Sequence, residues 1–137
     1  AERYQHPVSV VFLDCDDFKQ VNDRYGHNCG DAYLCHVASE LTQIVRSTDT
    51  VFRFAGDEFV ILLPKQSLVE ARAACDRIDA HLQRHPMPYL QQLIPVAVSA
   101  GAASTEEPEA RDGPSLLRLA DSRLYQVKRL RHRQDVA

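Results

Sequence analysis

Arg53-Phe54-Ala55-Gly56-Asp57-Glu58-Phe59, preceded by Thr50-Val51-Phe52 and followed by Val60-Ile61-Leu62-Leu63, decides how this chain folds. Two runs of β-branched and aromatic residues flank a small-residue pair and two adjacent acids, the pattern of a β-hairpin with carboxylates at its tip. Two negative side chains at a tight turn repel each other unless something positive lies close by. Taken alone, Ala-Gly-Asp-Glu reads first as a solvated acidic turn. It becomes informative when a second acidic segment faces it.

Upstream of the hairpin, Val8-Ser9-Val10-Val11-Phe12-Leu13 is a nearly continuous apolar run, as expected of a strand buried on both faces. It ends in Asp14-Cys15-Asp16-Asp17, the second acidic segment, and Phe18–Tyr25 then reads as a short helix. Acids before a helix suit its N-terminal N–H groups and dipole. Gly26–Gly30 breaks that helix, and a longer one starts near Asp31, with Leu34, Val37, Ala38, Leu41, Ile44 and Val45 at helical spacing. Arg46-Ser47-Thr48-Asp49 is a polar loop into the hairpin.

Downstream, Pro64 ends the second hairpin strand, and Ser67-Leu68-Val69-Glu70 has the capping-box pattern of a helix running to about Arg84. Pro86 and Pro88 mark a loop, and Val96–Ala103 reads as a strand of small residues with a candidate bend at Gly101. Thr105–Gly113 reads as a surface loop. Pro114-Ser115 opens a last helix, with Leu116, Leu119, Ala120, Leu124 and Val127 on one face, that ends in the basic run Lys128–Arg133. The alternation predicts an α/β (α+β) fold in one domain: helices around a mixed central sheet of about five strands.

At 137 residues, with 45% hydrophobic and 26% charged, the chain is long enough for one domain with a real core. A net charge of −3 lacks the basic footprint of nucleic-acid binding. No apolar run approaches the roughly 20 residues of a membrane span and no signal peptide is visible, so no membrane contact by this domain is expected. Cys15, Cys29, Cys35 and Cys75 lack Cys-x-x-Cys spacing, which predicts no zinc site and reduced thiols in a cytoplasmic domain. Ala1–Pro7 lead almost directly into a strand, the abrupt start expected of a piece of a longer protein.

Asp14 at a strand end and Asp57 and Glu58 on a hairpin tip can converge on one point. Carboxylates packed that closely take up a proton or bind a hard cation, and Mg²⁺ is usually shared between one or two carboxylates and substrate phosphates. The Cys15–Phe18 run can offer backbone N–H groups to phosphates, and Lys19 and the basic end of the last helix can supply opposing charge. Together they point to nucleoside-triphosphate chemistry. Plainer readings stand beside these. Asp14 and Asp31 read equally as acids at helix starts, Asn22 as a surface polar residue, and His27 as a turn residue. Arg129 and Arg131 read as complements to a helix dipole, and Cys29 and Cys35 as small core residues.

Five ordered motifs then resemble one family. Asp14-Cys15-Asp16-Asp17-Phe18-Lys19-Gln20-Val21-Asn22-Asp23, Gly26-His27-Asn28-Cys29-Gly30-Asp31 and Arg53–Phe59 are similar to the GGDEF domain of bacterial diguanylate cyclases. Val98-Ser99-Ala100-Gly101 and Ala120–Lys128 fit its later motifs, and the family's opening Asp-x-Leu-Thr-Gly-Leu-x-Asn-Arg segment is absent. The resemblance implies a nucleotidyl-cyclase-like βααββαβ core. It also implies condensation of two GTP into cyclic di-GMP and pyrophosphate across a homodimer. Asp14 and Asp57, with the Cys15 carbonyl, would hold Mg²⁺ or Mn²⁺, and Glu58 would sit beside the reacting 3′-hydroxyl as second metal ligand or proton acceptor. Asn22 and Asp31 would read guanine, whose adjacent N1–H and N2–H donors one carboxylate can accept together. Phe18, Lys19 and Gly56 would line the substrate, and Lys128 would contact phosphate. Arg46 and Asp49 match the family's Arg-x-x-Asp inhibitory site for the product; the plainer reading is a surface i,i+3 ion pair worth well under about 1 kcal/mol.

Two positions depart from the pattern. The family's first hairpin glycine is Ala55 here, and if that position needs φ > 0 its Cβ costs about 1–2 kcal/mol. Four residues after Lys128, where the family has arginine, stands His132. They motivate an alternative, a catalytically degenerate GGDEF domain that binds GTP or cyclic di-GMP to regulate an attached domain such as a phosphodiesterase.

Overall fold

The Val8–Leu13 run lies at the centre of the molecule because both of its faces are covered. The computed structural model describes residues 6–136, with side chains as far as residue 131. In chain order the elements are β1 (Val8–Cys15), α1 (Phe18–Tyr25), α2 (His27–Ile44), β2 (Thr50–Ala55), β3 (Glu58–Pro64), α3 (Leu68–Gln83), β4 (Met87–Tyr89), β5 (Gln92–Ile94), β6 (Val98–Ser104) and α4 (Gly113–Val136). Along β1, Val11, Leu13 and Cys15 pack with α1, α2 and α3, whereas Val10 and Phe12 pack with α4. A strand with apolar neighbours on each side has no polar face to show, hence the unbroken apolar run.

The main sheet has four strands in the order β2-β3-β1-β6, and every neighbouring pair is antiparallel. This corrects the expected mixed sheet of about five strands while keeping the α/β class. β3 and β6 flank β1, each antiparallel to it; they run parallel to one another but never touch, so no parallel ladder forms. The other two strands pair only with each other, as the hairpin β4–β5. Of the two prolines expected in a loop, Pro86 stays in the connection just before that hairpin, whereas Pro88 lies in the hairpin itself. Its two-residue turn puts Leu90 and Gln91 at φ 47° and 65°, a job usually given to Asn-Gly, so the ordinary hairpin signal is missing.

Three other boundaries have clear physical causes. α2 begins at His27 rather than near Asp31, because Gly26 alone, at φ 95°, breaks the chain between α1 and α2. The capping box of α3 forms as expected: Glu70 N–H donates to Ser67 Oγ (3.1 Å) and Ser67 N–H donates to Glu70 Oε1 (2.8 Å). Gly101 keeps an uninterrupted register opposite Phe12, so it is not a bend. A Cβ there would lie 2.4 Å from both the Ala120 oxygen and the Leu124 nitrogen, so this glycine lets the backbone of α4 rest directly on β6.

Candidate active site

β-sheet register brings the two acidic segments together. Asp14 is the cross-strand partner of Glu58, and Cys15 N–H donates to the Asp57 carbonyl at 3.1 Å. Asp14 caps no helix. It is 7% exposed, one of its oxygens accepts from Lys128 Nζ at 2.5 Å, and the other, Oδ1, is buried with no partner. Burial pushes the Asp14 carboxyl above the usual range; the hydrogen bond and charge of Lys128 oppose this, while Asp57 and Asp16 add to it. Glu58 is raised as well, by burial first and then by Asp121, Asp14 and Asp57. Burial works against the Lys128 ammonium, yet its bond to Asp14 and the charges of Asp14, Asp16 and Asp57 carry it above the ordinary lysine value.

An orphaned, buried carboxylate oxygen among mutually repelling acids is short of positive charge. Hard oxygen donors of this kind fit Mg²⁺ or Mn²⁺. Among the described residues, these carboxylates do not reach the 4.8 Å mutual spacing of a ready-made three-ligand cluster. An open donor set of that sort leaves coordination positions for substrate phosphates.

Beside this group runs a second ionic tie. Arg131 donates to Asp16 Oδ2 (2.9 Å), to the Val98 carbonyl (2.6 Å) and to Ser99 Oγ (3.1 Å), and Ser99 Oγ–H donates to the other oxygen of Asp16 at 2.7 Å. Arg131 is therefore a bridge between α4 and the end of β1, not a complement to the helix dipole. It lies three residues past Lys128, so both cations leave one face of α4. That spacing, with Asp121 earlier on the same helix, was the available sequence signal. The His132 side chain lies outside the described residues.

Asn22 and Asp31 lie where α1 meets α2. A Cβ on Gly30 would come within 1.8 Å of Asn22 Oδ1, so the absence of a side chain at Gly30 seats Asn22 against α2. Asp31 is exposed and in the second turn of α2, which removes its reading as a first-turn acid; His27 is likewise helical rather than a turn residue. The Phe18 ring packs on Tyr33, with centroids 6.1 Å apart, and stays partly exposed. Cys15 N–H and Asp16 N–H donate to the Asp57 and Ala97 carbonyls, which removes these two from the N–H groups expected to face phosphate. Asp17 enters that helix at φ 60° without a side-chain cap. Lys19 is exposed on α1 and Gly56 is open at the tip.

Two further expectations change. Ala55 is not among the non-glycine residues at positive φ, which are Asp17, Lys65, Leu90 and Gln91 in the described chain. It pairs with Glu58 as an ordinary strand residue, and a bulge between Arg53 and Ala55 takes up the turn. The expected backbone penalty is absent. Cys35 is exposed rather than in the core, whereas Cys29 is buried; all four thiols are free. The Cys15 thiol is pushed up to about 12, by burial first and then by Asp57, Asp14 and Asp16, so it stays protonated and inert at neutral pH.

At the far end of α2, Asp49 Oδ2 accepts the Arg46 N–H (2.9 Å), and the Arg46 guanidinium donates to the Pro64 carbonyl (2.9 Å) and lies 3.6 Å from Asp49. The Asp49 side chain is almost wholly covered and that of Arg46 is half exposed. Asp49 thus shapes the loop, and Arg46 presents an exposed guanidinium edge.

With this geometry in place, comparison with known proteins identifies the class. The family described as diguanylate cyclase, GGDEF domain, matches residues 1–134, and the chain belongs to that family. It is 38% identical over 128 residues to the diguanylate cyclase DgcS of Shewanella oneidensis, covering 93% of this chain and 41% of DgcS. The GGDEF domain of YfiN (TpbB) from Pseudomonas aeruginosa has the same fold, with a TM-score of 0.87 and 33% identity over 95% of this chain and 81% of that one. The GGDEF domain of DgcB from Caulobacter crescentus, solved in complex with c-di-GMP, aligns with a TM-score of 0.80 at 25% identity over 90% of this chain and 72% of that one. No helix among the described residues is long and apolar enough to cross a membrane.

Proposed function

We propose that this domain is a diguanylate cyclase that joins two GTP molecules into cyclic di-GMP with release of two pyrophosphates. The observation that carries the reading is Asp14, buried with one oxygen unpartnered and the other on Lys128, at the register position of Glu58 and beside Asp57. Asp14, Asp57 and the Cys15 carbonyl would hold Mg²⁺ or Mn²⁺, which when bound would neutralise phosphate charge and polarise the α-phosphorus.

The chain's own groups do the rest. Asn22 and Asp31 select guanine, Asp31 accepting from N1–H and N2–H. The α1 N-terminus, Lys19 and the open backbone at Gly56 receive the triphosphate. Lys128 exchanges its bond to Asp14 for phosphate oxygens, which frees that carboxylate. Glu58, whose carboxyl burial and the neighbouring Asp121, Asp14 and Asp57 hold above its ordinary value, is suited to accept the proton of the 3′-hydroxyl. That oxygen bonds to the α-phosphorus of the GTP held by a second copy, and the bond from the α-phosphorus to the bridging oxygen breaks as pyrophosphate leaves. Two such transfers across a homodimer close the ring. Arg46, with Asp49 positioning it, would bind cyclic di-GMP and limit turnover. The chemistry uses the nucleotide pool of the cytoplasm.

The test is incubation of the protein with GTP and Mg²⁺, followed by chromatographic detection of cyclic di-GMP. Product is expected from the natural sequence and none from Asp57→Asn. Tight GTP binding without product would replace this reading with the nucleotide-binding regulatory one. Asp31→Ala should lose preference for GTP over ATP, and Arg46→Ala should keep turnover while relieving inhibition by added product.

A further inference from the structure

Away from the catalytic end, α2 and α3 bring a different donor set together. His36 and Glu40 are four residues apart on α2, and His81 and His85 are four apart on α3 and its end, so each pair shares one helix face. His81 Nε2 is 2.9 Å from Glu40 Oε1, and the His81 and His85 rings stack at 3.9 Å and 15°. One ligand atom each from Glu40, His81 and His85 lie within 4.8 Å of one another, the sole such group of three found among the described residues. We propose that Glu40, His81 and His85 form a second metal site, specific for Zn²⁺ or a similar borderline cation and independent of the nucleotide site.

Three features favour a metal over a simple ion pair. First, the ligand types are right: two imidazoles and one carboxylate suit Zn²⁺ with a water in the fourth position, and suit Mg²⁺ poorly. Second, the outer contacts match those that orient metal ligands. The His85 Nδ1–H donates to the His81 carbonyl at 2.7 Å, which fixes the tautomer with a lone pair on Nε2. Glu40 Oε2 accepts from Gln43 Nε2 at 3.3 Å, and His36 Nε2–H donates to the His85 carbonyl at 2.7 Å, anchoring the residue that an ion pair would not need. Third, Glu40 is 9% exposed while His85 is exposed, so the anionic ligand is held in the protein and the last ligand faces the entry path. Small side-chain shifts would close the set, with the ion replacing the proton shared by His81 and Glu40. The cysteines lack zinc spacing; the set that converges is Glu40 from α2 with His81 and His85 from α3 and its end, Glu40 and His81 lying 41 positions apart.

The experiment titrates Co²⁺, a coloured stand-in for Zn²⁺, into chelator-stripped protein and follows the visible bands of a tetrahedral site, then displaces Co²⁺ with Zn²⁺. One equivalent is expected, retained in Asp57→Asn and weakened by about tenfold or more in His85→Ala and in Glu40→Gln. Zn²⁺ should also raise the thermal midpoint of the natural sequence and of Asp57→Asn but not of the two site variants. Glu40→Gln keeps a hydrogen-bonding partner for His81, so it decides the matter if His85→Ala unfolds in chelator. Absence of a tetrahedral equivalent, its loss in Asp57→Asn, or its survival in Glu40→Gln would each overturn the proposal.

Discussion

Ala55 lies in an extended strand position opposite Glu58, where glycine has no conformational advantage. Ala55→Gly should therefore lower stability by about 0.5–1 kcal/mol, the usual penalty of glycine in a strand, as read by chemical denaturation. A gain in stability would mean that the position is strained after all. Glu58 makes the opposite case. Its carboxylate is disfavoured by burial and by Asp121, Asp14 and Asp57, so Glu58→Gln should keep or raise the thermal midpoint in chelator while abolishing cyclic di-GMP formation. A marked loss of stability would show that the acids are not crowded. Asp14, Asp57 and Glu58 were legible in the sequence because a strand end and a hairpin tip are local features. Arg131 was not, since its partners Asp16 and Val98 lie more than thirty positions away and only the packing of α4 on β6 brings them within reach.

At the scale of elements, the close approach of α4 to β6 is the contact on which the cationic half of the site depends. Gly101→Ala would place a methyl against the backbone at Ala120 and Leu124, where no flexible side chain can give way. The helix must shift, at a cost of about 2–3 kcal/mol. Because Lys128 and Arg131 ride on the same helix, the variant should lose cyclase activity beyond what its reduced stability explains, measured well below its thermal midpoint. Full activity would mean that α4 does not place them. Most elements here followed from local pattern: the capping box of α3, the apolar run of β1 and the hairpin of β2 and β3. The misplaced start of α2 and the overlooked β4–β5 hairpin share one cause, a backbone choice made by tertiary packing. Gly30 is helical although glycine disfavours helix, because Asn22 fills the space a side chain would need. Leu90 and Gln91 accept positive φ although neither residue type advertises it.

At the scale of the whole molecule, α4 is tied to the sheet layer by carboxylates at two places. At the end of β1, Asp14 and Asp16 hold Lys128 and Arg131. At the other place Glu107 receives a two-pronged bond from Arg123 (Oε2 at 2.8 Å, Oε1 at 2.5 Å), while Arg123 also donates to the Ala102 carbonyl at 2.9 Å and Glu107 accepts from Ser104 N–H at 3.0 Å. The Arg123 hydrogen bond, partly opposed by burial, holds the Glu107 carboxyl below its ordinary value of 4.5. A depressed folded value means that the unfolded chain binds the proton more readily. The pair's stabilisation is therefore fully present above about the ordinary 4.5 and fades as pH falls through the lower folded value. Glu107→Gln should cost about 1–3 kcal/mol at pH 7, the range for a charged hydrogen bond with both partners mostly covered. Its unfolding curve should then converge on that of the natural sequence as the solution is acidified below pH 4.5. A difference that stays constant across that range would assign the loss to packing rather than to charge.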